Sequence, residues 1–243
     1  MWGFAPVLTR LGRDMGFVPF VLGSCMVLYV LTWLVGGPQG GGLLGMLSPS
    51  QKGLRAFGAS GIYPFWVDGF WWTLLTASWL HANPIHILMN MMALRNVAPI
   101  VAEFYGASRM IIIYVLSGVA GFAASSILGA FVRLPFLSGA GFTVGASASI
   151  AGLIGAVFYY GHRSGSSHIA EQAKMWIIMF LIIGFVIAGI DNWAHIGGLA
   201  CGYALSKFLD PLHPERLDHF VIALGLLIAS AVAIIVNLIV FTR

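Results

Sequence analysis

Apolar residues are gathered into seven long segments along this chain, separated by connections rich in glycine, proline and charged residues. A helix needs about 20 consecutive apolar residues to cross the hydrocarbon core of a bilayer, with a range of about 17–25. The pattern therefore predicts an all-α, polytopic bundle of membrane-spanning helices. The predicted spans are Phe17–Val35, Pro84–Val101, Met110–Val132, Val144–Tyr160, Lys174–Ile190, Trp193–Leu209 and Phe220–Phe241.

Composition agrees with a membrane protein. Of the 243 residues, 59% are hydrophobic and only 8% are charged, whereas a soluble domain carries about 25% charged residues. The net charge of +4 predicts no nucleic-acid partner, because basic residues near the cytoplasmic ends of helices explain it equally well. The two cysteines, Cys25 and Cys201, both lie in apolar segments, so no disulfide framework is predicted.

The spacing of the spans divides the chain into three parts. Residues 1–16 form a short N-terminal segment, residues 17–209 a six-helix core, and residues 210–243 a linker with an additional C-terminal helix. Inside the core, residues 36–83 form a long connection that begins rich in glycine and ends rich in aromatic residues. Tryptophan and tyrosine favour the headgroup level, so we expect this 36–83 connection to lie in the outer membrane interface.

The distribution of basic residues predicts the orientation. With the N-terminus in the cytoplasm, eight Lys and Arg residues fall on the inner side and four on the outer side, as the positive-inside rule requires. Spans two, four and six then all run from outside to inside. No organellar presequence is evident, so we expect a multi-pass protein of the bacterial inner membrane.

A serine and a histidine stand at the starts of spans four and six, in the outer half of the bilayer. The Ser147 hydroxyl becomes a strong nucleophile only when a base takes its proton, and the neutral imidazole of His195 is suited to that role. Small residues follow both at helical spacing, which lets two membrane helices approach closely. The alternative is that these stripes only pack helices and that Ser147 is one more small residue. The stripes are Ser147, Ala151 and Gly155 on span four and His195, Gly198 and Gly202 on span six.

Span two carries two further polar residues, His86 and Asn90, that are four positions apart and so point at one spot. With the unpaired backbone N–H of Ser147 near the start of its helix, they could stabilise the oxyanion of an acyl-transfer reaction. The alternative is polar contact between helices. His81 is expected to be a structural hydrogen-bonding residue. Asp191 is expected in a turn, which favours a Ser–His dyad over a triad.

A serine nucleophile and a histidine base inside a membrane predict an intramembrane serine protease, and other protease chemistries fit the sequence poorly. A zinc protease would have a His-Glu-x-x-His motif, and span two contains no glutamate. An aspartyl protease needs two carboxylates that share a site, and Asp191 is the only candidate. No cofactor or metal ion is predicted.

Taken together, these segments resemble the rhomboid intramembrane serine proteases, from about Trp71 to Leu209. The resemblance implies that Ser147 is the nucleophile, His195 the general base, and His86 and Asn90 the oxyanion donors. It also implies that the substrates are single-pass membrane proteins, cut near the outer ends of their spans. The motifs are Trp72-Thr73 with His81-Ala82-Asn83-Pro84-Ile85-His86-Ile87-Leu88-Met89-Asn90, Gly145-Ala146-Ser147 with Gly152 and Gly155, and Ala194-His195-Ile196-Gly197-Gly198-Leu199 with Gly202.

Three positions depart from the family pattern. Ala148 stands where glycine usually follows the serine, and its methyl group could crowd the oxyanion site. Ala151 stands where an aromatic residue commonly packs under the histidine, and Thr73 replaces an arginine. Ala148 and Ala151 motivate a second hypothesis, an inactive rhomboid-like protein that binds transmembrane helices as a chaperone or quality-control factor. A third hypothesis, a small transporter or channel, is less favoured because no inverted repeat is evident. The sequence predicts no oligomeric state.

Overall fold

The computed structural model describes residues 14–132 and 137–242, and apart from isolated β-bridges their regular secondary structure is helical. Most of the predicted N-terminal segment, with Arg10 and Arg13, lies outside the described residues, as do Arg133 and Arg243. The seven long helices in these ranges are α1 (Phe17–Gly36), α2 (Pro84–Tyr105), α3 (Ala107–Ala123), α4 (Ser147–Arg163), α5 (Ser167–Val186), α6 (Asn192–Phe208) and α7 (Leu217–Phe241).

Each long helix corresponds to one predicted span, and the largest difference at a helix start is in α5. This helix begins at Ser167, seven residues before the predicted Lys174, and ends at Val186 rather than Ile190. It starts early because the Ser166 hydroxyl accepts a hydrogen bond from the backbone N–H of Ile169, as an N-cap does. The first turns of α5 are polar, so hydropathy alone excluded them.

Five helices in the described ranges are long and apolar enough to cross a membrane: α1, α2, α3 with its extension to Phe131, α5 and α7. The chain is therefore an integral, multi-pass membrane protein. The other two, α4 and α6, have 17 residues each and are about 26 Å long, shorter than a hydrocarbon core of about 30 Å. Helix α4 is central, since it packs against α2, α3, α5 and α6.

The backbones of α4 and α6 touch through their glycines. A Cβ atom on Gly202 would lie 2.0 Å from the carbonyl oxygen of Gly152, and one on Gly198 would lie 2.1 Å from that of Ala148. A side chain at either position would push the helices apart. The prediction that small residues bring these two spans into close contact is confirmed, with Ala148 and Gly152 of α4 as the partners of Gly198 and Gly202 in place of the predicted stripe.

The 36–83 connection is folded against the bundle. Tyr63, Trp66 and Trp71 are more than half exposed, as expected for residues at a membrane interface. The same expectation is wrong for Trp79, which is buried and packs edge-on against Phe20 and Tyr114. The short elements of the connection are helices Gly42–Leu47, Gln51–Ala56 and Thr73–Thr76, a π-helical turn at Tyr63–Val67 and a 3₁₀ turn at Ala77–Trp79.

Candidate active site

Ser147 and His195 meet at the N-terminal ends of α4 and α6. The distance between Ser147 Oγ and His195 Nε2 is 2.9 Å, within the range of about 2.6–3.2 Å in which a base can take a proton. His195 is buried in the first turn of α6. The two helices hold this distance because their glycines let the backbones approach, as described above.

The backbone before Ser147 is shaped by Gly145, whose φ is +130°. Its N–H donates to the carbonyl oxygen of Ala77, at 2.9 Å. A Cβ atom on Gly145 would lie 2.6 Å from His86 Nε2 and 3.8 Å from Asn90 Nδ2. The side chains of His86 and Asn90 therefore converge on the chain two residues before the serine.

Both side chains on α2 can donate hydrogen bonds toward this point. His86 Nδ1 accepts from the backbone N–H of Ala82 at 3.4 Å, which leaves the proton of a neutral imidazole on Nε2. Asn90 Nδ2 donates to the carbonyl oxygen of His86 at 2.9 Å, and an amide nitrogen carries a second hydrogen. Two N–H donors thus face the start of α4.

Asp191 caps α6 and does not bond the imidazole. One carboxylate oxygen accepts from the backbone N–H of Ala194 at 3.1 Å, and the other accepts from the Ser125 hydroxyl. The Nδ1 atom of His195 is buried and has no hydrogen-bond partner among the described residues. Among the described residues, the imidazole therefore contacts the serine but no carboxylate, and Asp191 lies in the turn before the helix.

The aromatic partner of His195 comes from α5. The ring of Phe180 packs against the imidazole, with centroids 4.5 Å apart and planes inclined by 53°. The two side chains and Ala151 line one small cavity between α4, α5 and α6. Sequence reasoning missed Phe180, because it considered only the position one turn after the serine.

Ala148 packs toward α3, away from His86 and Asn90. Its side chain is buried in a small cluster with Ala77, Phe122 and Ala194. The position of a Cβ atom on Gly121 of α3 is 2.8 Å from the Ala148 methyl group. The methyl group therefore fills the contact with α3, and the expectation that it could crowd the oxyanion site has no support in this packing.

His81 differs from its expected role. Its ring is fully buried, and neither ring nitrogen has a hydrogen-bond partner in the described part of the chain. It packs edge-on against His86, with ring centroids 5.2 Å apart. His81 therefore contacts the site through ring packing rather than through hydrogen bonds. Within the described ranges, no three His, Cys, Asp or Glu side chains are grouped so that they could hold a metal ion.

The known proteins to which this chain is similar include a rhomboid protease and several RHOMBOID-like proteins. The chain is similar to Rhomboid protease GluP of Bacillus subtilis (strain 168), with 32% identity over 188 residues, which are 76% of this chain and 35% of that protein. It is 34% identical to RHOMBOID-like protein 7 of Arabidopsis thaliana over 70% of this chain and 52% of that one. RHOMBOID-like protein 4 of the same plant is 29% identical over 68% of this chain and 40% of its own length.

The chain thus spans about a third to a half of the length of these curated relatives. A family model for the Rhomboid domain matches residues 68–211. The matched region runs from the 36–83 connection past the end of α6 and contains Ser147, His195, His86 and Asn90. Because it covers more than half of the chain, the chain belongs to the rhomboid family.

Proposed function

We propose that this protein is an intramembrane serine endopeptidase that cleaves transmembrane segments of single-pass membrane proteins with a Ser147–His195 dyad. The observation that carries the proposal is the 2.9 Å separation between Ser147 Oγ and His195 Nε2. Both atoms lie at the starts of short helices, so a substrate would reach them below the membrane surface.

In the proposed reaction, His195 Nε2 takes the proton of Ser147 Oγ while this oxygen bonds to the scissile carbonyl carbon. The carbonyl π electrons move to its oxygen, which becomes the oxyanion. As the oxyanion collapses, the C–N bond breaks and His195 gives its proton to the leaving amine. Water then attacks the acyl-enzyme ester with His195 as base, and Ser147 regains its proton.

The oxyanion would be stabilised by three donors: His86 Nε2–H, Asn90 Nδ2–H and the backbone N–H of Ser147. The convergence of the first two on Gly145 supports this role. A helix N-terminus also favours negative charge through its unpaired amides. Loss of one oxyanion donor typically lowers kcat about 100–1000-fold.

We further propose that residues 17–209 form the catalytic core, with residues 1–16 in the cytoplasm and residues 210–243 forming the linker and added helix. Basic residues support this orientation, because Arg109 and Arg163 meet Asp210 at the end of the bundle opposite to Ser147. In a bacterial inner membrane, an impermeant maleimide should label Gln39→Cys in intact spheroplasts and Ser164→Cys only after lysis. The reverse pattern would contradict the orientation.

The decisive experiment compares purified wild type with Ser147→Ala on a fluorescent transmembrane substrate. The cleavage seen with the wild type should disappear in Ser147→Ala and in His195→Ala. Thermal unfolding should show that both variants are still folded. A serine-directed fluorophosphonate should label the wild type but not Ser147→Ala. Cleavage that persists in folded Ser147→Ala would overturn the proposal.

The absence of an aromatic side chain at Ala151 keeps a second candidate, an inactive relative that binds transmembrane helices. The same assay distinguishes the two functions. Absence of both cleavage and fluorophosphonate labelling in a folded wild type, together with recovery of substrate helix in co-purification, would favour the helix-binding function.

A further inference from the structure

We propose that Phe180 of α5 is a positioning residue for His195, supplying from a neighbouring helix the aromatic support that position 151 of this chain does not supply. The inference rests on the proposed function, in which His195 is the general base. It starts from the ring contact itself, in which the centroids of Phe180 and His195 are 4.5 Å apart. An inclined contact at this distance is a favourable aromatic geometry.

The imidazole needs such support because it has little else to fix its plane. Its Nε2 atom bonds Ser147 Oγ, but its Nδ1 atom has no hydrogen-bond partner in the described ranges. In a triad, an acceptor at Nδ1 would hold the ring in the orientation needed for proton transfer. Here, packing against Phe180 restricts rotation of the ring about its bond to Cβ.

Phe180 and position 151 face one shared cavity beside His195. Phe180, Ala151 and His195 line the same small space, together with Ile154, Ile177 and Leu199. An aromatic side chain at position 151 would enter this space from α4. Because Ala151 ends at a methyl group, the space is open to a ring from α5, and Phe180 occupies that side.

A second contact connects α5 to the turn that carries the base. The carbonyl oxygen of Gly184, one turn after Phe180, accepts a hydrogen bond from Asn192 Nδ2 at 3.0 Å. Asn192 lies three residues before His195 on α6. Helix α5 therefore contacts the start of α6 at two levels, and the alignment of the base depends on the position of α5.

The test is a transfer of the ring from α5 to α4. Phe180→Ala should lower kcat roughly 10–100-fold, the scale of a misplaced catalytic group, with KM little changed. The rate of fluorophosphonate labelling should fall in parallel, because a small probe reports serine activation without a bound helix. Phe180→Ala/Ala151→Phe should restore kcat to within a few-fold of wild type, since the ring again fills the shared space.

Two controls separate positioning from folding. Phe185→Ala removes a ring from the exposed face of the same helix and should leave kcat and labelling unchanged. Thermal unfolding of each variant identifies any loss caused by destabilisation. An unchanged kcat in Phe180→Ala would overturn the inference, as would a folded double variant that recovers neither kcat nor labelling.

A separate measurement distinguishes failure of this inference from failure of the proposed function. If the wild type does not cleave, the proposed function fails. A double-mutant cycle of Phe180→Ala and His195→Ala, measured as free energies of reversible unfolding, then decides whether the two side chains stabilise each other. Losses that are less than additive would support Phe180 as the residue that holds His195. Additive losses would overturn it.

Discussion

Gly145 links the geometry of the backbone to the arrangement of the candidate oxyanion donors. Its φ of +130° lies in a region that side chains rarely adopt. A Cβ atom there would also collide with His86 Nε2, at 2.6 Å. Both constraints act two residues before Ser147, so the residue type at position 145 decides whether the donors can approach the start of α4.

Gly145→Ala should therefore abolish cleavage. The substitution strains the backbone by about 1–3 kcal/mol and displaces His86 from the oxyanion site. The matched control is Gly69→Ala, which has a positive φ of +72° but open space where its Cβ would lie. Cleavage assays with thermal unfolding should show activity in the Gly69 variant and none in the Gly145 variant. Equal activity of the two would contradict the role of this close approach.

For Ala148 we expect a substitution to change stability and not activity. Because its methyl group packs with Phe122 and Ala194 rather than with His86 or Asn90, Ala148→Gly should not raise kcat. It should lower the free energy of unfolding by about 1 kcal/mol, the usual contribution of one buried methyl group. Thermal unfolding and cleavage rates measure both effects. An increase in kcat would show that the methyl group does obstruct the site.

At the scale of helices, the pairing of α4 with α6 fixes the distance between serine and histidine. Gly202→Ala would place a Cβ atom 2.0 Å from the carbonyl oxygen of Gly152, and overpacking of this kind typically costs about 1–3 kcal/mol. We expect a lower unfolding temperature and a lower kcat, because separated helices lengthen the Ser147–His195 hydrogen bond.

Gly225→Ala is the control for this prediction. It lies within α7, where a Cβ atom would have no heavy atom within 4 Å. This variant should match wild type in cleavage and should unfold at the same or a higher temperature, because alanine favours helix. If Gly202→Ala were as active and stable as Gly225→Ala, close contact of α4 and α6 would not be required.

At the scale of the whole molecule, α7 is attached to the 36–83 connection by Asn237. Its amide nitrogen donates to the carbonyl oxygens of Arg55 and Ala56, at 2.8 and 2.9 Å. Its carbonyl oxygen accepts from the indole N–H of Trp72 at 3.1 Å. The connection leads into α2, so these bonds join the added helix to the element that carries His86.

This chain has Thr73 where the family pattern has an arginine, and other contacts hold the 36–83 connection in place. The Thr73 hydroxyl donates to the carbonyl oxygen of Phe70 at 2.7 Å and so closes its own turn. The charged contact of the connection is made by Arg55, which bonds Asp68 at 3.2 Å and lies over the ring of Phe142. Arg55 thus links parts of the connection to one another and to Phe142, while Asn237 of α7 anchors it to the bundle.

Asn237→Leu should lower the unfolding temperature and make the 36–83 connection more sensitive to protease. The substitution leaves two carbonyl groups and one indole N–H without their partner, at a cost of about 1–3 kcal/mol for each buried group. Thr242→Ala is the control, because its hydroxyl bonds only carbonyl groups of α7. Similar unfolding temperatures and digestion rates for the two variants would contradict the anchoring role.

The sequence by itself determined the seven long helices and pointed to the four candidate site residues, Ser147, His195, His86 and Asn90. Hydropathy located all seven helices because the cost of apolar segments in water, and of polar groups in lipid, acts locally along the chain. The spacing of small residues on spans four and six predicted their contact, because helical periodicity is also local. Hydropathy misplaced the start of α5, where a serine cap and polar turns extend the helix beyond its apolar part.

Only the tertiary structure decided which side chains from different helices meet. Phe180 is 15 residues from His195 and Asn237 is 165 residues from Trp72, and no pattern along the chain relates either pair. The direction of the Ala148 methyl group, the burial of Trp79 and the ring contact of His81 were likewise undetermined. These features depend on how helices rotate and pack against one another, which is a property of several segments together and of no single one.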